Sequence, residues 1–494
     1  MTTYTKKALR GIGIIFLMNI LANLVAYLTR MVLARNLTPA EYGLFYAVFT
    51  FVIFFLFFRN LGLGSAMVKY IAEFKIKKKY NAIKTAIISA ASFQFLSSLI
   101  YGAIFFLSAD FLAKYYFKNP LSSIMLKLLV LYVLLSILFI ICKNILQGFQ
   151  KFKVFSLVEF SKNSIVLLLL LLFFYIGMKN VFAPIFAYIL VCPILFLILL
   201  PFALKAFPFF KYKTENFKPI TKQLFLFGLP VLVTSVGGKV IGYVDTLILT
   251  HFRTLEEVGI YNVILPSAML FLYFGISASA VAFPIVSELW AKKDKKRLSG
   301  GLKLLHKYAF VLIIPLVFTV FAFSSLFIKL FFGKEYIAGA LALQILLVGV
   351  LFYIVAGINN NIIAAIGRPK TVTKIILFSA FINLIANIIL IPRYGIEGAA
   401  IATSISYLIA LLLSTYKVTK FIKIGFPKII WLKLILAGIV FVLTISYIKD
   451  LLVLNPWIEL IISAIVAFLI YVVMVYLLKV VDIQEIKKNI MLAK

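Results

Sequence analysis

The sequence predicts an all-α polytopic membrane protein with about fourteen transmembrane helices. Three observations carry that prediction. The chain is 64% hydrophobic and only 13% charged, with a mean hydropathy of +1.12, whereas a water-soluble chain is about half apolar and about a quarter charged. Apolar runs of roughly 20 residues, enough to cross a hydrocarbon core about 30 Å thick, recur along all 494 residues. The positive charge alternates between connections: 37 of the 50 Lys and Arg fall in the N-terminus, the C-terminal tail and every second connection. Cytoplasmic loops carry such an excess, so both termini are expected in the cytoplasm. No hydrophilic stretch exceeds about twenty residues, and a compact soluble domain needs at least about fifty.

The elements follow in order. The first span, 11–33, has a basic start at Lys6, Lys7 and Arg10 but no small-residue cleavage site, so it reads as a retained helix. Spans 43–66, 85–108, 121–145, 155–177 and 181–204 complete a first lobe, 1–204. Residues 205–223, with Pro208 and Pro219, read as a cytoplasmic inter-lobe linker. Spans 224–250, 261–287, 308–331, 337–364, 371–391 and 396–416 form a second lobe, 224–418. Spans 430–448 and 457–478 are an addition within 419–494, which ends in a cytoplasmic tail. Pro230, Pro266, Pro284 and Pro315 fall inside spans, where they permit bends. An internal repeat supports the division: Thr38, Glu41 and Gly43 recur 216 residues later as Thr254, Glu257 and Gly259. Six helices per half give two lobes of one topology, related by an axis along the membrane normal.

Several segments resemble the polysaccharide-transporter, or oligosaccharide flippase, family: LARNLTPAEYGLFY, YVDTLILTHFRTLEEVGIYN, AFPIVSELWAKKDKKRL, LFFGKEYIAGALALQILLVG and IPRYGIEGAAIATSISY. They occur in order between about residues 6 and 420, at the spacing that family shows. The larger superfamily contains multidrug and toxic compound extrusion transporters and lipid II flippases. The resemblance implies two six-helix bundles in a V around a central cavity. It also implies alternating access that carries a lipid-linked glycan head group from the cytoplasmic to the outer leaflet.

A sugar diphosphate is anionic and hydroxylated, so its path should offer cations, amides, hydroxyls and aromatic rings. Ionisable residues deep in a membrane are costly and are candidates for function. Lys239 lies near the middle of the seventh span, with Ser235, Gly242 and Thr246 on its helical face. Asn19, Asn23, Tyr27 and Arg30 form a polar stripe on the first span, within an arc of about 80°. Arg59 stands among Phe54, Phe55, Phe57 and Phe58; it is a cavity candidate, although snorkelling to the head groups fits it better. Asp245 is a candidate coupling carboxylate, or a gate brace paired with Arg253 or Arg30. The Asn359-Asn360-Asn361 run, with Asn383 and Asn387, could bind sugar hydroxyls; joining helices is the commoner use of such groups.

Catalysis has little support. His251 and His306 fall in connections on opposite sides, Cys142 and Cys192 in apolar spans, and no metal-binding cluster or phosphate loop is visible. No cofactor is expected. The positive-inside pattern accounts for the net charge of +34, so no nucleic-acid partner is needed. The expected partners are a lipid-linked glycan and membrane lipids, with room for a coupling ion, proton or sodium, and for glycan-assembly enzymes. The competing reading is a cation-coupled multidrug or metabolite extruder. Such a transporter should hold intramembrane carboxylates, and the deep charges here are mainly cationic.

Overall fold

A computed structural model describes residues 3–422, 427–451 and 456–480. Among the described residues every regular element is helical and no strand occurs. The chain runs through α1 (Thr3–Asn36), α2 (Pro39–Arg59), α3 (Leu63–Ile76), α4 (Tyr80–Tyr115), α5 (Leu121–Gly148), α6 (Phe152–Tyr175) and α7 (Phe182–Ala206). It continues through α8 (Phe217–Phe252), α9 (Leu255–Met269), α10 (Leu272–Ala291), α11 (Lys295–Ala322), α12 (Ser324–Phe331), α13 (Ala340–Ala365), α14 (Pro369–Phe421), α15 (Lys428–Leu451) and α16 (Pro456–Leu477). The expected cytoplasmic tail from 481 lies outside the described residues.

Twelve helices among the described residues are long and apolar enough to cross a membrane. The fourteen expected spans differ from these twelve at α14 and α16. As a straight rod, the 53 residues of α14 would measure roughly 80 Å, far more than a hydrocarbon core of about 30 Å. The helix is instead interrupted at Gly395, with φ 56° and ψ −129°. Asn383 Nδ2 donates to Thr403 Oγ1 at 3.3 Å, yet residues twenty apart on a straight helix are separated by about 30 Å. α14 is therefore a hairpin, and its legs are the expected spans 371–391 and 396–416. In α16 the described apolar stretch is shorter, Ile461–Leu477, so length and composition alone do not reach fourteen.

Three expected spans are broken. The span 43–66 divides where α2 ends at Arg59 and the chain turns through Asn60 to Gly62 into α3. The span 261–287 divides between α9 and α10, just after Pro266, which has no N–H to give the preceding turn. The span 308–331 divides at Phe323, between α11 and α12.

Packing resolves the chain into two units, Met1–Val263 with Asn387–Ile396, and Ile264–Ala386 with Glu397–Lys494. In the first unit α1 packs on α6, α5 on α4 and α7, and α8 on α2, α3 and α4. The connection read as a linker is pinned to α4. Lys84 Nζ donates to the Tyr212 carbonyl, Lys213 N–H to Asn81, and Glu215 N–H to Thr85, while Tyr212 stacks on Tyr80. Between α3 and α4, Lys77 hydrogen-bonds Glu73 and holds its carboxyl below the usual range. In the second unit α10 packs on α11 and α13, and α15 on α11 and α16.

The repeated motif has a structural reason. Thr38 caps α2 in a capping box with Glu41, and Thr254 Oγ1 accepts from Glu257 N–H at the start of α9. The two helix starts then meet through their glycines. A Cβ on Gly43 would lie 1.7 Å from the Leu255 carbonyl, and one on Gly259 would lie 2.1 Å from the Pro39 carbonyl. Pro39 and Leu255 are themselves 216 residues apart, so the contact is reciprocal, as across a twofold axis.

Candidate functional site

Three cations of the first unit, Arg30, Arg59 and Lys239, lie within or at the ends of long apolar helices and have no carboxylate within 4 Å among the described residues. Each is placed by a different device.

Arg30 stands over the Tyr46 ring, 4.4 Å from its centroid, and its Nη1 donates to the Asn262 carbonyl at 3.0 Å. That carbonyl is available because the residue four further along α9 is Pro266, which lacks the N–H that would normally take it. Tyr42 and Tyr188 also lie within electrostatic reach of Arg30. Behind them the rings of Phe45, Phe49, Tyr132 and Tyr188 form a continuous aromatic group, with Phe49 and Tyr188 4.5 Å apart.

Arg59 lies at the other end of this group. It is only 4% exposed, so it does not snorkel. Its Nη1 donates to the Val133 carbonyl at 2.6 Å and to Ser136 Oγ at 3.1 Å, and its Nε has no partner among the described residues. A buried guanidinium held by two neutral acceptors is under-coordinated and should attract an anion.

Lys239 is half-buried between two rings, 5.8 Å from the Phe57 centroid and 5.4 Å from that of Tyr243. Beside it Gly238 and Gly242 face open space, since a Cβ on either would meet nothing within 4 Å. Ser235 is exposed and its hydroxyl bonds back to the Val231 carbonyl; Thr246 is buried and bonded to Asn262.

The 216-residue offset that relates the glycines also relates the two polar stripes. Asn19, Asn23, Tyr27 and Arg30 correspond to Ser235, Lys239, Tyr243 and Thr246, and Tyr46 corresponds to Asn262. The Arg30–Tyr46 contact in the first repeat is thus the Thr246–Asn262 hydrogen bond in the second. Along the first stripe exposure falls from Asn19, exposed, through Asn23 to the buried Tyr27.

Asp245 is 1% exposed. Its carboxylate accepts from the Tyr261 hydroxyl at 2.5 Å and from Asn387 Nδ2 at 2.6 Å. The alternative gate pairings are taken elsewhere: Arg253 bonds Glu257 at 2.9 Å beside Gly395, and Arg30 bonds the Asn262 carbonyl. Tyr261 and Asn387 thus fix the position of the carboxylate.

His306 is not in a connection. It is buried in α11, with Nδ1 2.7 Å from the Leu302 carbonyl and Nε2 2.9 Å from Asn359 Oδ1. No group of three metal-ligating side chains occurs among the described residues. The aromatic residues 42, 46, 132 and 188 and Asn262 were not among the sequence candidates; the repeat offset, applied to Tyr46, would have pointed to Asn262.

Residues 8–290 match the family described as polysaccharide biosynthesis protein, and residues 230–389 match the MatE family. The chain belongs to the polysaccharide biosynthesis protein family. A relative from Methanocaldococcus jannaschii, an uncharacterized membrane protein, is 32% identical over 98% of this chain and 98% of its own. A Haloferax volcanii protein named as a probable low-salt glycan biosynthesis flippase is 28% identical over 52% of this chain and 55% of its own. Among solved structures, the inward closed lipid II flippase MurJ superposes with a TM-score of 0.76 at 19% identity, covering 93% of this chain and 97% of that one. This polysaccharide biosynthesis family member therefore has a MurJ-like fold and is a multi-pass membrane protein. The fold is shared with the lipid II flippase MurJ and, at a TM-score of 0.62 and 16% identity, with an inward-facing multidrug resistance MATE family transporter.

Proposed function

We propose that the protein flips a lipid-linked diphosphate oligosaccharide from the cytoplasmic to the outer leaflet, by alternating access, for cell-surface polysaccharide or glycan assembly. The observation that carries the reading is the set Arg30, Arg59 and Lys239: three cations in long apolar helices, set among tyrosines, with no carboxylate within 4 Å among the described residues. Fixed, partly desolvated cations favour an anionic cargo. The tyrosine and asparagine side chains of the two stripes suit the attached sugar. The family and the flippase naming of the Haloferax relative point the same way.

In this reading residues 1–204 and 224–418 are the two lobes, 205–223 links them, and 419–494 is an addition. Both termini face the cytoplasm, in keeping with the Lys and Arg pattern. Asp245, buried and oriented by Tyr261 and Asn387, serves as the coupling carboxylate for a proton or sodium ion. The same carboxylate, with the MatE match over 230–389, favours a second reading, cation-coupled extrusion of small molecules.

The test is transbilayer movement of a lipid-diphosphate oligosaccharide in proteoliposomes, run beside uptake of a cationic drug. Glycolipid movement that falls in Lys239→Ala, without drug uptake, is the expected result. Drug uptake without glycolipid movement would establish the second reading.

A further inference from the structure

The asparagine run on α13 separates into different roles because successive helical residues turn by about 100°. Asn359 is committed to structure: its Oδ1 meets His306 Nε2, and its Nδ2 donates to Thr415 Oγ1 at 3.0 Å. Asn360 and Asn361 instead line a cleft of about 330 Å³ within the second unit. Ser279 of α10, Tyr353 and Gly357 of α13 and Ile376 of α14 line it as well.

Two buried polar atoms of these residues, Ser279 Oγ and Asn360 Oδ1, have no hydrogen-bond partner among the described residues. Ser279 is 4% exposed and Asn360 9%. Such orphans are costly unless something supplies the missing bond. Tyr353 is held flat against Tyr407, with centroids 4.2 Å apart and planes 23° apart, so its position in the cleft is fixed. A Cβ on Gly357 would meet nothing within 4 Å, which marks open space beside the ring.

We propose that this cleft binds a neutral pyranose of the transported glycan, with ring hydroxyls paired to Ser279 and Asn360 and the apolar ring face against the cleft wall. The assignment rests on the flippase reading. Among the described residues no charged side chain lines the cleft, so a diphosphate would find no counter-charge in that lining. An alkyl chain would leave both polar atoms unpaired. A pyranose has the two properties that the walls ask for: hydroxyls and an apolar face. Its volume lies at the small end of ligand pockets, about 300 to 1,000 Å³, which suits one or two sugar rings.

The experiment uses the full chain in lipid nanodiscs, free of sugar-headed detergent. Binding of methyl glucoside and methyl N-acetylglucosaminide is followed by saturation-transfer NMR for wild type, Ser279→Ala and Asn360→Leu, with thermal unfolding of each. The expected result is glycoside binding by wild type, weakened about tenfold by either substitution, with the unfolding midpoint unchanged or raised because an orphaned atom is removed. Absent binding by wild type, equal binding by the variants, or a lowered midpoint in Asn360→Leu would overturn the assignment. A parallel proteoliposome arm compares glycosylated with sugar-free polyprenyl diphosphate, and Asn360→Leu should slow only the former. If wild type moves neither lipid the flippase reading fails, and the glycoside titration still decides the cleft by itself.

Discussion

Gly43 and Gly259 stand 216 residues apart in the chain and touch through their backbones, each helix start lying where the other glycine would need a side chain. The contact explains why the repeat retains glycine at both places. It also puts the approximate twofold relation between α2 and α9 on a physical footing.

Gly43→Ala and Gly259→Ala should each destabilise the protein by about 1–3 kcal/mol or more through overpacking. The double variant should cost much less than the sum, since the first substitution already separates the helices. Thermal unfolding of the purified chain in one detergent checks this, and simple additivity would mean that the two sites are independent.

Arg59→Met should leave stability unchanged or raise it, because it replaces an under-coordinated buried charge with an apolar chain of similar length. Glycolipid movement should drop by about tenfold or more, the loss of one charge-assisted contact to an anion. A variant that unfolds yet moves glycolipid normally at low temperature would show that Arg59 is a structural anchor.

Asp245→Ala should destabilise by about 1–3 kcal/mol, since it removes the acceptor of two buried hydrogen bonds, from the Tyr261 hydroxyl and the Asn387 amide. Asp245→Asn keeps one acceptor and should recover part of that loss. Neither should retain ion-dependent transport. Flux measured against proton and sodium gradients separates this from stability, and intact ion dependence in Asp245→Asn would remove the carboxylate from coupling.

Position 23 corresponds to position 239 in the repeat, so the charge should be movable. Lys239→Asn is expected to slow transport, and Asn23→Lys in that background to restore part of the rate. Proteoliposome flux for the four combinations checks it. No recovery would mean that Lys239 acts through its own neighbours, Phe57 and Tyr243, and not through the shared stripe.

The sequence by itself determined the membrane class, most helix positions, the repeat and the family, because these depend on local properties: apolar run length, the Lys and Arg pattern, and short motifs in order. It also picked out Lys239, Arg30 and Asp245, since a charge inside an apolar run is visible without any partner. Only the tertiary structure decided what each polar group meets. Asp245 finds Asn387 across 142 residues, and Arg30 finds the carbonyl that Pro266 leaves free on α9. Arg59, which looked able to reach the head groups, turns inward to Val133 and Ser136. Asn359 and Asn360 are neighbours of the same type, yet one ties helices together and the other lines a cleft. The physical reason is the same in each case. A helix turns adjacent residues to different sides, and hydrogen-bond partners come from segments that only folding brings together.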